Sequence, residues 1–160
     1  MGIKCQTPAS EIDEFLRKAV RLIQEYMLTA LSKLGEECIV RIRDRGANES
    51  WIDHTGNLRS SVGYSVYNHG VKYMQSSFAT VMGGSKGRSE GMRMVNELAQ
   101  EYSNVFALVV VAAMDYAAYV EAVNGKDVLE STRIWAESVV EQRLNRAKEE
   151  AIKVINTWNL

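Results

Sequence analysis

The sequence predicts an α+β domain in which two long helices pack on one face of a small, mainly antiparallel sheet. Three observations lead there. Apolar residues recur at three- and four-residue steps from Ile12 to Ile42 and again from Trp135 to Trp158, the spacing that gives a helix a single apolar stripe. Between these segments, Val62, Tyr64 and Val66 alternate with Gly63, Ser65 and Tyr67, as in a half-buried strand. Finally, Val105 to Met114 is apolar without alternation and rich in Val, which predicts the central strand of the sheet.

The first helix opens where Thr7 and Ser10 offer capping oxygens, Pro8 suits a first helical position, and Asp13 follows Ser10 in capping-box spacing. Its stripe is Ile12, Phe15, Leu16, Ala19, Ile23, Tyr26, Met27, Ala30, Leu31 and Leu34, with Glu14, Arg17, Lys18, Arg21 and Glu25 on the other face. Gly35 weakens the helix, yet Cys38, Ile39 and Ile42 carry the stripe to about Arg43, a rod of roughly 50 Å at about 1.5 Å per residue. So long a rod in so small a domain implies that part of the stripe serves a neighbouring subunit.

Asn68-His69-Gly70 has turn chemistry, and the following "VKYMQSSFATV" completes a predicted β-hairpin. Gly83 to Gly91, "GGSKGRSEG", reads as a flexible loop, with a shorter helix after it marked by Met94, Val95, Leu98 and Tyr102. Beyond the apolar run come a short helical or irregular segment, a turn at Asn124-Gly125 and a short strand at Asp127 to Leu129. Ser131 or Thr132 then caps the closing helix.

With 160 residues, 46% hydrophobic and 24% charged, the chain fits one domain, 1–160. Its formal net charge of −1 argues against generic nucleic-acid binding, which needs a concentrated excess of Lys and Arg. No window approaches a membrane span and the first residues lack a signal-peptide core, so a cytosolic chain without a lipid anchor is expected. Cys5 and Cys38, far apart and without a CxxC pair, read as reduced structural thiols.

Three groups invite a chemical reading. Asp53-His54-Thr55 places an acid, a base and a hydroxyl side by side, with Ser60 as a second nucleophile, and suggests a small hydrolase. Adjacent residues, however, seldom point together as a triad requires, and the competing reading is a capped turn at Gly56 and Asn57. Lys86, Arg88 and Arg93 make residues 83–93 the most basic stretch, a candidate contact for nucleic acid or an acidic protein. Its glycines miss Walker A spacing, since Met82 and Arg88 stand where glycine and lysine belong. Tyr116 and Tyr119 near Glu121 are read as rings packed on the sheet with hydroxyls at its rim. No metal-ligand spacing accompanies His54 or His69, and no metal or cofactor is expected.

Two blocks together resemble a family. "DHTGNLRSSVGY", Asp53 to Tyr64, resembles the "D-T-G-x-L-R-x-S" corner, and "DYAAYVEAVNG", Asp115 to Gly125, resembles the "Y-A-x-Y-V-E-x-G" segment, of the tailed-phage head-tail joining and minor tail component family. The order of elements fits as well. The resemblance implies a virion structural protein of the neck or tail that assembles into a homo-oligomeric ring with other phage proteins and performs no chemistry. It further implies residence in the virion after assembly in the host cytoplasm, without a membrane or specific nucleic acid as partner. Asp53, Thr55, Gly56, Leu58 and Arg59 would build the corner, and Tyr116, Tyr119, Val120 and Glu121 the second block. Departures are His54 between Asp53 and Thr55, "KDVLESTRIWAE" in place of a Pro-containing segment, and residues 83–104, which look like an insertion.

Overall fold

Helix α1 (Ala9–Arg43) is followed by a one-turn helix α2 (Asn57–Ser61) that leads straight into β1 (Val62–Asn68), and a two-residue turn joins β1 to β2 (Val71–Gln75). Helix α3 (Ser85–Leu98) tightens into a 3-10 turn at Ala99–Tyr102 before β3 (Phe106–Ala112), α4 (Ala117–Ala122) and α5 (Glu130–Ile155). This computed structural model describes residues 8–45, 51–123 and 126–158.

The sheet is antiparallel with order β2-β1-β3. Its hairpin turn forms because His69 and Gly70 both take positive φ, 50° and 78°, the hand that matches strand twist. Helix α1 lies on one face, where Leu31, Ile42, Leu58, Val62, Tyr64, Val66 and Val128 share a core. Helix α3 covers the other face, closing a second core around Tyr67, Phe78, Val95, Ala107, Val109 and Val111. Helix α5 runs antiparallel along α1: Phe15 meets the Trp158 ring edge-on at 5.8 Å, Arg143 pairs with Glu37, and the Arg41 guanidinium lies 3.8 Å above the Trp135 ring.

Both long helices, the corner and the hairpin stand where the sequence places them, but several expectations are corrected. The middle strand is β1, buried on both faces, whereas Val105 to Met114 supplies the edge strand β3. The small residues of β1 are the cause: Gly63 and Ser65 do not face water but admit α3 and its neighbours. A Cβ on Gly63 would lie 2.1 Å from the Phe78 ring.

The segment 83–91 is not a loop, since α3 begins at Ser85 and buries Gly87 and Gly91 at close contacts. Only Val71–Gln75 of the second hairpin arm is strand, and Asp127 to Leu129 is irregular, with a bend at Val128 and Leu129. Helix α2 went unforeseen. Pro8 stands just before α1 rather than inside it, and Ser10 makes no cap. Thr132 is buried within α5, which begins at Glu130. Thr7, Cys5 and the Asn124-Gly125 turn lie outside the described residues. Cys38 is a free, buried thiol.

Candidate functional site

From the buried Trp51 the chain turns through Asp53 into α2. Asp53 caps this turn with its whole carboxylate: Oδ1 accepts the Gly56 amide and Oδ2 the Arg59 amide, each at 2.8 Å. Thr55 Oγ1 accepts the Asn57 amide at 3.3 Å. Gly56 has φ +72°, and a Cβ there would sit 1.8 Å from the Val81 carbonyl oxygen, so conformation and space both require glycine. Leu58 drops into the core. Asn57 Oδ1 accepts the Gly87 amide at 3.2 Å and Ser60 Oγ accepts the Val81 amide at 2.8 Å, which fastens the corner to the segment leading into α3.

The Arg59 guanidinium donates to the carbonyls of Arg43, Arg45 and Trp51 and lies 4.9 Å from the Trp51 ring centroid. One cation thereby satisfies the carbonyls at the end of α1. Five hydrogen donors in a planar fork make arginine suited to this task.

His54 is exposed, and among the described residues no hydrogen bond or ion pair joins it to Asp53, Thr55 or Ser60. The acid, the base and the two hydroxyls are neighbours in sequence and separate in role. Asp53, Thr55 and Ser60 are all spent on backbone amides.

In the second block, Val120 packs against the core. Glu121 reaches the start of α5, where Oε2 accepts the Leu129 amide and Oε1 the Glu130 amide, each at 2.9 Å. It supplies the cap that Ser131 and Thr132 were expected to give. The tyrosines are corrected too: Tyr116 and Tyr119 are 39% and 72% exposed, so the Tyr119 ring stands in solvent rather than on the sheet.

The two blocks meet through residues the sequence did not single out. The Arg45 carbonyl receives Arg59 at 3.4 Å, while the Arg45 guanidinium pairs with the Asp127 carboxylate at 2.6 Å and donates to Thr132. Asp127 in turn accepts the Ser131 amide at 3.1 Å. Burial opposes ionisation of Asp127, but the Ser131 and Arg45 contacts outweigh it and hold the carboxyl below its ordinary range. Ser61 adds a second tie, donating to the Leu58 carbonyl at 2.8 Å and accepting the Ala113 amide at 3.1 Å. The end of α1, the corner, the end of β3 and the start of α5 are thus clamped together.

Of the basic stretch, Arg93 is held between Glu90 and Glu97, at 2.6 and 2.8 Å, and Lys86 and Arg88 are exposed on α3. Two grooves open on the surface. One, of ≈ 740 Å³, lies between α1 and α5 and is lined by Tyr26, Lys33, Arg143 and Glu150 among others. The other, of ≈ 560 Å³, lies between the helix pair and β3, with Leu31, Leu108, Val110 and Leu144 in its walls. Neither contains a residue of the two motif blocks. Among the described residues no cluster of His, Cys, Asp and Glu could hold a metal ion, and no described helix is long and apolar enough to cross a membrane. Comparison of the chain with protein-family models, curated proteins and solved structures gives no match.

Proposed function

We propose that this chain is a structural subunit of a tailed-phage neck or tail, a joining, completion or terminator component, and that it acts by assembling into a homo-oligomeric ring. The observation that carries the reading is the clamp. In the corner block Asp53, Thr55, Asn57, Arg59, Ser60 and Ser61 all hold backbone and Tyr64 holds Glu36, and Glu121 of the second block holds the backbone at α5. A family defined by those two blocks would keep them for shape, and shape is what an assembling subunit presents. The outer edges of β2 and β3, which pair with no further strand among the described residues, together with exposed Val71, Tyr73 and Met74 on β2, supply surface for neighbours.

The test is deletion of the gene from the phage or prophage genome that carries it, with electron microscopy of the lysate. Heads and tails left unjoined or incomplete, and restored by the gene supplied in trans, are the expected result. Intact infectious particles without the gene would overturn the proposal. Purified protein visualised by negative stain should show rings, alone or on mixing with tail or neck components.

A further inference from the structure

Beside the outer edge of β3 the helix pair leaves a groove of ≈ 560 Å³. Its walls include Leu34 of α1 and Ala136 and Leu144 of α5, and Phe106, Leu108 and Val110 line it from the strand. The backbone at this edge is as particular as the side chains. The Val105 carbonyl accepts the His69 amide and the Ala113 amide donates to Ser61, so the odd-numbered residues of antiparallel β3 turn their polar groups toward β1. Phe106, Leu108 and Val110 therefore turn theirs outward, and no other group among the described residues bonds them. An apolar slot beside a row of free amides and carbonyls fits an extended strand that is apolar on one face.

The opposite edge of the same sheet is such a strand. β2 is exposed from Val71 to Met74, with Val71 at 70%, Met74 at 45% and Tyr73 at 40%. Cross-strand partners share a face, and the register sets Val71 level with Phe106 through Asn68, and Met74 level with Leu108 through Val66. These side chains lie on the α1 side of the sheet, as does Tyr73, whose hydroxyl meets Thr29. Because β2 and β3 both run antiparallel to β1, a subunit repeated beside itself in one orientation brings β2 of the next copy parallel to β3. Two β3 edges fit less well, since each α5 would then come over a strand already packed against the other copy's α1.

Charge agrees with this pairing. Lys72 stands opposite Tyr67, on the α3 side of the sheet, and is exposed. Glu101 is exposed on the 3-10 turn whose Ala99 and Tyr102 pack on that side, and Tyr102 reaches the groove. Neither forms an ion pair among the described residues. We propose that the groove beside β3 receives β2 of a second copy of this chain as a fourth strand, with Val71 and Met74 entering the groove and Lys72 meeting the edge that carries Glu101. Such a contact is head-to-tail and repeats until it closes. It rests on the ring reading above and specifies how that ring is joined.

A head-to-tail contact uses two different surfaces, so two copies damaged on different sides should rescue each other. Size exclusion with light scattering on the full chain tests this. The wild-type chain should assemble as its concentration rises. Val71→Glu with Met74→Glu, which spoils the strand, and Ala136→Glu, which fills the groove, should each hold the mass at 18.0 kDa. Mixed, they should give a species of twice that mass and nothing larger. Should either variant unfold by circular dichroism, charge exchange serves instead: Lys72→Glu or Glu101→Lys alone should move assembly to higher concentration, and the double exchange should restore it. A wild-type chain that stays monomeric throughout overturns the proposal and leaves the groove to a strand of another protein. An assembly indifferent to all of these variants overturns it too, while the ring reading stands. Rescue on mixing, for a gene whose loss leaves intact infectious particles, would uphold the contact and remove the virion role alone.

Discussion

The Asp53 carboxylate accepts the Arg59 amide at 2.8 Å while the Arg59 side chain turns back to the carbonyls at the end of α1. One residue closes the turn into α2, and the other ties that turn to the helix before it. Asp53→Ala strips two charge-assisted bonds from partly buried amides and should lower stability by about 3 kcal/mol in urea unfolding. His54→Ala should stay within about 0.5 kcal/mol, because His54 is exposed and has no hydrogen-bond or ion-pair partner among the described residues. An unaltered unfolding midpoint for the Asp53 variant would remove the capping role. A large loss at His54 would reopen its function.

Arg59→Lys separates charge from geometry. An ammonium cannot reach three carbonyls lying in different directions, so the variant should lose about 2 kcal/mol despite keeping its charge. The Trp51 ring beside it provides a local reporter. Tryptophan emission should shift to longer wavelength as water enters, and an emission spectrum identical to that of the unaltered protein would speak against the clamp.

Much of this architecture was legible because the two long helices and the hairpin announce themselves through periodicity and turn residues. The corner was legible for a similar reason, since Gly56 and Asn57 carry local conformational demands. The order of strands was not. Gly63 and Ser65 resemble solvent-facing residues in a pattern, yet they are small because Phe78 and α3 press against them. Glycine again misled at Gly87 and Gly91, where absence of a side chain marks close packing and not mobility. The link from Arg45 to Asp127 joins residues 82 positions apart, and no periodicity connects residues that only tertiary structure brings together.

Phe78 and Gly91 should prove energetically coupled. A Cβ on Gly91 would lie 2.4 Å from the fully buried Phe78 ring, so Gly91→Ala should cost about 1 to 3 kcal/mol although alanine favours helix. Phe78→Ala alone should cost about 3 to 5 kcal/mol through its cavity. Combined, the two should cost clearly less than their sum, since the methyl enters space the ring vacated. Strict additivity in this cycle would show that the ring and helix do not press on each other.

Cys38 gives the fold a measurable alkaline limb. Burial, reinforced by the Glu37 carboxylate, pushes its thiol up to about 11 from an ordinary 9.0. The folded state thus retains a proton that the unfolded state loses first. Stability from this group is complete below pH 9 and declines as pH rises toward 11. In a Cys5→Ser background, Cys38→Ala should flatten that part of the stability profile, and the native Cys38 thiol should resist a disulfide reagent at neutral pH until denaturant is added. Rapid labelling of the folded chain would contradict its burial.

Glu121 offers the sharpest distinction between a structural block and a chemical one. Its two oxygens accept the Leu129 and Glu130 amides at 2.9 Å each, at a helix end whose dipole favours negative charge. Glu121→Ala should cost about 1 to 2 kcal/mol and increase amide exchange in the first turn of α5. Glu121→Gln keeps one carbonyl acceptor but neither the charge nor the second acceptor, and should fall between the two. Because Asp127 holds the Ser131 amide and Arg45 nearby, loss of Glu121 should raise exchange at Leu129 and Glu130 more than at Ser131. Equal protection across all three amides in the Ala variant would mean that Asp127 alone secures the helix start, leaving Glu121 without the role its geometry gives it.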